Sequence, residues 1–398
     1  MFAAERMNNI PFSAIRKVFE EVHRREALGQ DIVNLGIGRP DFDTPSNIKE
    51  AAKKALDDGM VHYASNYGVD ALRVAIADKF KRDNGLDFDP DKEIMVTVGA
   101  NEAVFLAMMA FINPGDEVLV PDPFWPHYFP CIELAGGKPV SVPIYEENGF
   151  NPTAEDLKKA ITAKTRMIVS TTPHNPTGGV LSVECLQDIA EIAIANDLLV
   201  LSDEIYEHLI YGEEKHVSIA SLPGMRERTI TVNGFSKSYS MTGWRIGFVG
   251  IDASLMSPMI RAHQYSTVCV TTFAQIGAAE ALTGPQDAKA AMVAEFGRRR
   301  DLVVSKLSEM KLISFSPPKG AFYVMVNISK TGLSAAQVAA ELLDHGVAVV
   351  PWEAIGSFAK GFIRLSYANS FENLEIAMER MKLYFEGKDA SSRMMERP

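Results

Sequence analysis

Short continuous runs of apolar residues alternate with amphipathic helical patterns through the middle of the chain. The apolar runs are residues 94–98, 117–120, 166–170, 198–202 and 229–232. Continuous apolar strands of this length, separated by helices, are typical of a mostly parallel sheet with helices on both faces. Ligands of such sheets bind beyond the carboxyl ends of the strands. The pattern therefore predicts an α/β fold with its binding site at that edge.

The pattern changes after residue 285, where a long charged helix is followed by short strands and further helices. The predicted elements are a helix over 288–311, strands over 312–316, 321–326 and 362–366, and a helix over 335–344. This order is typical of an α+β unit, and 398 residues exceed one ordinary domain. We therefore expect a large domain over 45–285 and a smaller, discontinuous domain over 1–44 and 286–398. The polar, aperiodic residues 387–398 are expected to fray.

Composition and charge narrow the class of protein. Apolar residues make up 47% of the chain, as in a globular protein with a large core. The formal net charge of −11 argues against binding to nucleic acid or to an anionic membrane surface. The three cysteines lack metal-ligand spacing, so we expect no metal site and a reduced, cytoplasmic protein. There is no signal-peptide pattern and no apolar run long enough to span a membrane.

The strongest chemical candidate is Lys237, which lies among glycine and small hydroxyl residues over 233–245. Arg245 lies a short distance further along this run. Chemistry with an aldehyde cofactor requires an amine that can form a Schiff base and a cation that can anchor a phosphate. Residues 99–101 follow a strand and open a helix, where backbone N–H groups and the helix dipole favour an anion. These segments together predict a phosphate site beside a nucleophilic lysine.

Other polar residues lie where an unpaired polar group is costly. Asp203 ends a buried apolar strand and Arg364 lies in an apolar β context, so each is expected to face a partner. Purely structural readings stay open for single residues. Asp203 could be a helix N-cap, and Asn175 could serve only to stabilise a tight turn before a proline. Trp125 and Tyr206, taken alone, are compatible with packing.

Taken together, these runs resemble the class I/II aminotransferases that depend on pyridoxal phosphate. Residues 236–247 are similar to the attachment signature S-K-x-Y-x-x-x-G-W-R-x-G, and residues 175–178 to the N-P-T-G turn. Residues 202–206 are similar to the S-D-E-x-Y strand end, and residues 364–367 to the R-x-S-Y motif. The resemblance runs from about residue 13 to residue 385 in the family's order and spacing. In particular, the chain resembles the prokaryotic subgroup of aspartate and aromatic aminotransferases.

The resemblance implies the fold type I of pyridoxal-phosphate-dependent transferases. In that fold a large domain holds a mostly parallel seven-stranded sheet between helices, and a smaller α+β domain faces it across a cleft. The resemblance also implies an enzyme of amino-acid metabolism whose partners are a small amino acid and a 2-oxo acid. It implies a homodimer with shared active sites, in which Tyr63 reaches the cofactor phosphate of the neighbouring subunit.

The resemblance assigns roles to the candidate residues. Lys237 would form the Schiff base with the cofactor and then carry the proton from the substrate Cα. Asp203 would hold the protonated pyridine nitrogen, which makes the ring an electron sink, and Tyr206 would donate to the phenolic oxygen. Also implied on the cofactor are Gly99, Ala100, Asn101, Trp125, Asn175, Ser236, Arg245 and Tyr63. Implied on the substrate, with its α-carboxylate at the arginine, are Gly38, Asn175, Arg364, Ile15 and Trp125.

Two departures from the subgroup bear on the amino donor. Aspartate-specific members carry a lysine where this chain has Asn101, and a threonine near Ile15. Both departures remove polar partners for a second carboxylate. With Ile37, Phe124 and Tyr67, they favour an apolar pocket for phenylalanine, tyrosine or tryptophan. We therefore expect a ping-pong aminotransferase that moves the amino group of an aromatic L-amino acid to 2-oxoglutarate.

Other functions stay open on the sequence alone. Residues 172–176 also resemble the kynurenine and glutamine transaminases, and aspartate remains an alternative donor. A lyase on the same fold would need the same lysine, aspartate and arginine. A regulator fused to a DNA-binding module is disfavoured by the acidic charge. A nicotinamide dehydrogenase is disfavoured because no G-x-G-x-x-G follows the first strand of a βαβ unit.

Overall fold

The computed structural model describes residues 3–12, 14–353 and 355–395, so the outermost residues of the predicted small domain, Ser13 and Ala354 lie outside the described residues. The strands are β1 (Val33–Asn34), β2 (Ile94–Thr97), β3 (Glu117–Asp122), β4 (Lys138–Pro143), β5 (Thr165–Thr171), β6 (Leu199–Asp203), β7 (Thr229–Gly234), β8 (Gly247–Gly250), β9 (Tyr323–Asn327), β10 (Val347–Ala348), β11 (Val350–Pro351) and β12 (Phe362–Ser366). The α-helices are α1 (Ala14–Glu26), α2 (Ser46–Asp57), α3 (Asp70–Lys79), α4 (Gly99–Phe111), α5 (Tyr128–Leu134), α6 (Ala154–Ala160), α7 (Val183–Ala195), α8 (Ala253–Ser266), α9 (Thr272–Thr283), α10 (Asp287–Ser308), α11 (Ala335–Asp344) and α12 (Phe371–Met395).

A seven-stranded sheet lies at the centre of the molecule, in the order β2-β8-β7-β6-β5-β3-β4. From β7 to β4 the neighbouring strands run parallel, whereas β8 runs antiparallel to both β2 and β7. This arrangement confirms the predicted α/β class with a mostly parallel seven-stranded sheet. Asp203 ends β6 and Gly234 ends β7, so the motifs that follow these strands meet at one edge.

Helices cover both faces of this sheet because successive strand residues point to opposite sides. In β5, Met167 and Val169 pack in one apolar cluster with residues of α4, α5 and α8. Ile168, which lies between them, packs instead in a cluster with residues of α7. The continuous apolar run that predicted β5 is therefore a strand buried on both faces.

Two strands of this sheet, β4 and β8, were not predicted from the sequence. β8 begins and ends with glycine, a residue that is depleted in strands, so it shows no apolar run. A Cβ at Gly247 would lie 2.5 Å from the carbonyl carbon of Gly99. The glycine therefore lets the start of α4 lie directly against the sheet, which fixes one wall of the site. β4 lies at the sheet edge and contains two prolines and a lysine, which also hide it from a search for apolar runs.

A second region combines the start of the chain with its last third. β9, β11 and β12 form an antiparallel three-stranded sheet, and β1 pairs with β10. Val33 and Leu35 share one apolar cluster with Phe296 of α10 and Met378 of α12. This shared core supports a discontinuous small domain, although the bounds at residues 45 and 285 remain a prediction.

The predicted strand over residues 312–316 is wrong, because only Ser314 bridges to Asn327 there. Residues 387–395 continue α12, and residues 396–398 of the segment expected to fray lie outside the described residues. Tyr384 and Phe385 of α12 are buried in the adjacent core. Across the described residues, no helix is long and apolar enough to cross a membrane.

Candidate active site

The carboxyl edge of the large sheet opens into a cavity of about 320 Å³, which the second region closes from the other side. The predicted residues that line it are Ile15, Gly38, Ala100, Asn101, Trp125, Asn175, Asp203, Tyr206, Ser236, Lys237, Arg245 and Arg364. Of the two other predicted residues, Gly99 lies directly against Arg245, whereas Tyr63 lies on the surface. The folded chain therefore brings residues from distant parts of the sequence to one cavity.

Lys237 lies in the turn that follows β7, with its amine inside the cavity. Its Nζ donates a hydrogen bond to the carbonyl oxygen of Gly38 at 2.5 Å. Burial lowers the pKa of Lys237 to about 8, and the positive charges of Arg364 and Arg245 act in the same direction against the opposing effect of Asp203. A lysine with this pKa is partly neutral near physiological pH, as a nucleophile or a base must be.

Asp203 ends β6 and is almost fully buried beneath the cavity. Burial raises the pKa of this carboxyl to about 6, while a hydrogen bond from Tyr128 opposes the rise. The Tyr128 hydroxyl donates to Asp203 Oδ2 at 2.8 Å, and it also lies 2.8 Å from the hydroxyl of Thr171 at the end of β5. Tyr128 and Thr171 both line the cavity and were missed in the sequence.

Tyr206 lies in the turn after β6, and its ring is buried between the two regions of the fold. Its hydroxyl lies 3.0 Å from the hydroxyl of Tyr323, the first residue of β9. The Lys237 amine lies 5.6 Å from the centre of the Tyr206 ring. Tyr323 also lines the cavity and is a third residue that the sequence did not reveal.

The end of the cavity at the start of α4 is suited to an anion. α4 begins at Gly99, directly after β2, so the free N–H groups of its first turn face this end. Gly99 has a positive φ of 73°, and a Cβ there would lie 2.5 Å from Arg245 Nη2. Arg245 and Ser236 line the same end and add a guanidinium and a hydroxyl. Glu102 supports the loop by accepting the N–H of Val98 at 2.6 Å.

Arg364 projects from β12 and is fully buried at the other end of the cavity. Its guanidinium donates to Asn175 Oδ1 at 3.1 Å and to the carbonyl oxygen of Gly36 at 2.8 Å. It lies between the rings of Tyr323 and Trp352, at 4.4 Å and 4.6 Å from their centres. Its Nε has no partner, and no carboxylate pairs with Arg364 within the described residues. A buried arginine of this kind is suited to bind the carboxylate of a ligand.

The remaining wall combines Ile15, Asn101 and Trp125. The carbonyl oxygen of Asn101 lies 3.2 Å from Nε2 of His127, which ties the start of α4 to the turn before α5. The same wall borders a second cavity of about 470 Å³, which Phe124 also lines. Two residues expected in this pocket, Ile37 and Tyr67, line neither cavity.

Tyr63 does not reach the cavity of its own chain. Its side chain is 87% exposed, in a surface depression that it shares with Val61 and residues 269–273. Tyr265 is equally exposed.

The known proteins that this chain resembles in sequence are aminotransferases. The family model for aminotransferase class I and II matches residues 30–381. The chain is 48% identical to an aspartate aminotransferase of Pyrococcus abyssi and 46% identical to aromatic-amino-acid aminotransferase 2 of Thermococcus litoralis. Each of these matches covers 96% of this chain and 98% of the other.

Solved structures that resemble this chain also include aminotransferases. An aromatic aminotransferase from Pyrococcus horikoshii is 47% identical with a TM-score of 0.88, over 92% of this chain and 99% of that one. An aspartate aminotransferase from Thermus thermophilus is 40% identical with a TM-score of 0.91, over 96% of this chain and 99% of that one.

The chain therefore belongs to the class I and II aminotransferases. It is an aminotransferase that uses pyridoxal phosphate, with the fold type I architecture, as its motifs predicted.

The residues of the cavity fit this cofactor. An anion end, a buried amine and a buried carboxylate match its phosphate, its aldehyde and its ring nitrogen. Lys237 forms no ion pair within the described part of the chain, and neither does Asp203, so both side chains remain available to a ligand. We therefore expect Arg245, Ser236 and the first turn of α4 to hold the phosphate.

Proposed function

We propose that the enzyme transfers the amino group of an aromatic L-amino acid to 2-oxoglutarate by a ping-pong mechanism. The observation that carries this proposal is the wall of Ile15, Asn101 and Trp125, in which no side chain bears a charge. An aspartate side chain placed against this wall would lose the hydration of its second carboxylate without meeting a cation. An aromatic ring would lose little hydration and would gain contacts with Trp125.

The adjoining cavity supports a large donor side chain. It borders the same three residues and is lined further by Phe124, Phe129 and several prolines. Burial lowers the pKa of His127, which favours its neutral form, and Glu133 is the other ionisable residue of this lining. A ring that passes Asn101 would therefore meet mainly aromatic and aliphatic side chains.

The other residues divide between binding and proton transfer. Arg364 and Asn175 bind the α-carboxylate of the amino acid, because they present the buried cation and the amide at one end of the cavity. Lys237 would take the proton from the substrate Cα and return it to the cofactor carbon that exchanges the amino group, which its lowered pKa permits. When bound, pyridoxal phosphate supplies the carbon that exchanges amino groups and a ring that withdraws electrons. Asp203 and Tyr206 hold that ring by its nitrogen and its phenolic oxygen.

The acceptor 2-oxoglutarate brings a second carboxylate, for which the uncharged wall offers no cation. Arg39 is exposed at the mouth of the cavity, and it has no hydrogen-bond or ion-pair partner within the described residues. We assign the distal carboxylate of the acceptor to this arginine. An exposed, flexible cation can meet an acidic substrate and leave the pocket free for an aromatic one.

Aspartate is a second candidate donor, whose side-chain carboxylate would also need Arg39. An aspartate side chain is shorter than that of 2-oxoglutarate, so reaching Arg39 would require movement of the arginine into the cavity. Several relatives carry the name aspartate aminotransferase, which keeps this donor open.

We further propose a homodimer in the cytoplasm. The exposed Tyr63 and Tyr265 support a contact surface, and the role assigned to Tyr63 requires a partner chain. Cys131 and Cys185 are buried and free, as expected of a protein from a reducing compartment.

The donor is tested by recording the absorbance spectrum of the holoenzyme while single amino acids are added without an oxo acid. We expect L-phenylalanine to remove the absorbance of the cofactor joined to Lys237 at lower concentrations than L-aspartate or L-kynurenine. Addition of 2-oxoglutarate should restore this absorbance. Lys237→Ala is the control that should show neither change. A stronger response to aspartate would make aspartate the donor. Continuous oxo-acid release without an acceptor would instead indicate a lyase.

A further inference from the structure

Tyr323 combines two properties that packing alone does not explain. The residue is 1% exposed, yet it lines the cavity. Its hydroxyl lies 3.0 Å from the hydroxyl of Tyr206, and neither has another hydrogen-bond partner within the described residues. Buried tyrosine hydroxyls usually pair with a carbonyl or a carboxylate, as Tyr211 does with the carbonyl oxygen of Ala321.

The surroundings keep space for this hydroxyl. A Cβ at Gly38 would lie 2.6 Å from the Tyr323 oxygen, so only glycine at this position leaves the hydroxyl in place. The Lys237 amine donates to the carbonyl of the same Gly38 at 2.5 Å. The Tyr323 ring lies 4.4 Å from the Arg364 guanidinium. Tyr323 therefore contacts Arg364 and lies beside the glycine that accepts the hydrogen bond of Lys237.

The direction of the hydrogen bond between the two hydroxyls matters. One proton is shared between the oxygens of Tyr206 and Tyr323, and either residue could supply it. If Tyr206 used its proton on Tyr323, it would present only lone pairs to the cavity. The phenolic oxygen of the cofactor is itself an acceptor, so it requires a donor at that position. Only donation from Tyr323 to Tyr206 leaves the Tyr206 proton free.

We propose that Tyr323 is a positioning residue whose hydroxyl donates to Tyr206 and so directs the Tyr206 proton to the phenolic oxygen of pyridoxal phosphate. The proposal rests on the proposed role of Tyr206 in cofactor binding. A donor that itself accepts a hydrogen bond is strengthened by polarisation. Tyr323 thus strengthens the hydrogen bond from Tyr206 to the phenolic oxygen and also fixes the direction of that bond.

The charged groups around the pair set the expected pH behaviour. Burial raises the pKa of both tyrosines, against the opposing charge of Arg364, so both keep their protons near neutral pH. Asp203 and Lys237 are the other ionisable groups close to Tyr206. Donation from Tyr206 stabilises the negatively charged form of the phenolic oxygen. Weaker donation therefore raises the pH at which the bound cofactor loses its proton.

The test is a pH titration of the absorbance of the bound cofactor in Tyr323→Phe, which keeps the ring beneath Arg364. We expect the apparent pKa of the cofactor to rise by up to about half a unit, since polarisation changes a hydrogen bond by a fraction of its strength. Tyr206→Phe should give a larger rise in the same direction. In the double variant, Tyr323→Phe should add nothing to Tyr206→Phe, because its effect passes through that hydroxyl. The KM for phenylalanine should stay close to the wild-type value.

Tyr211→Phe is the matched control, because it removes a buried hydroxyl that does not line the cavity. A titration of Tyr323→Phe that coincides with the wild-type curve overturns the proposal. So does a shift that adds fully to that of Tyr206→Phe, since Tyr323 would then act independently. If the wild type and Tyr206→Phe titrate identically, the proposed role of Tyr206 fails instead, and the two failures are distinguishable.

Discussion

Single side chains at the cavity differ in whether the protein itself satisfies their charge. Arg364 is buried, and its guanidinium meets only neutral oxygens and two aromatic rings. Lys237 meets one carbonyl oxygen. No carboxylate of the described residues forms an ion pair with either side chain, so both remain available to a ligand. Arg39 is also unpaired but exposed, so water satisfies it until an anion arrives.

Replacement of Arg39 by glutamine should separate acidic from aromatic substrates. We expect kcat/KM for 2-oxoglutarate to fall about fivefold to tenfold, the size of one partly solvated charge-assisted contact. The value for phenylpyruvate as acceptor should not change, because that substrate has no second carboxylate. Lys330→Gln is the control, since it removes an exposed charge that lines neither cavity. Equal losses of kcat/KM for the two acceptors would show that Arg39 does not bind the distal carboxylate.

The sequence revealed charged site residues better than aromatic ones. Asp203 and Arg364 were predicted because a charge in an apolar run needs a partner, and the structure places both at the cavity. Tyr128 and Tyr323 were missed because a tyrosine in a helix or strand is usually packing. Tyr128 begins α5 three residues after Trp125, and the two rings pack edge to face with their centres 5.3 Å apart. For Tyr323, the direction of the hydroxyl follows only from tertiary contacts with Gly38 and Tyr206.

Strands that are buried on both faces could be predicted from the sequence. A strand whose backbone lies directly against the backbone of a helix could not. β5 and β6 appear as apolar runs, whereas β8 needs Gly247 at its contact with α4. The sequence also gave no sign of the buried ion pair between Lys79, the last residue of α3, and Glu207. Residues so far apart in the chain meet only through tertiary packing.

The Lys79–Glu207 pair ties α3 to the ends of β6 and β7. Glu207 also accepts the side-chain N–H groups of Asn233 at 2.7 Å and of Asn84 at 2.9 Å. Asn233 belongs to β7, directly upstream of Lys237. Burial alone would raise the pKa of Glu207, but the charge of Lys79 holds it well below its usual range. The buried carboxylate of Glu207 therefore connects α3 with the segments that carry Asp203 and Lys237.

Glu207→Gln should destabilise the protein strongly, because Lys79 would be left buried without a counter-charge. We expect a loss of about 3–5 kcal/mol in the free energy of unfolding, measured with urea on the apoenzyme. The double variant Lys79→Met, Glu207→Leu should recover a large part of this loss, since it leaves no unpaired charge. The pKa of Glu207 is lower in the folded state, so the pair stabilises fully above about pH 4.3 and less in stronger acid. A loss below about 1 kcal/mol in Glu207→Gln would contradict this account.

At the scale of the whole molecule, the active site depends on parts that are distant in the chain. The large sheet supplies Asp203 and Lys237, and the small sheet supplies Tyr323 and Arg364. The single chain leaves Tyr63 outside this cavity, 87% exposed on the surface. If Tyr63 completes the phosphate site of a partner, each site contains residues of both chains.

Shared sites predict complementation between two inactive variants. Tyr63→Ala and Lys237→Ala should each form nearly inactive homodimers, the first through weakened cofactor binding. A heterodimer purified through two different affinity tags would hold one site with both changes and one site with neither. It should therefore show about half the wild-type activity per dimer, as follows from two-fold symmetry. The pair Arg245→Ala and Lys237→Ala is the matched control, because both residues line the same cavity of one chain and each hybrid site keeps one defect. Activity that stays at background in the first heterodimer, with the dimer intact by light scattering, would place Tyr63 outside the partner's site.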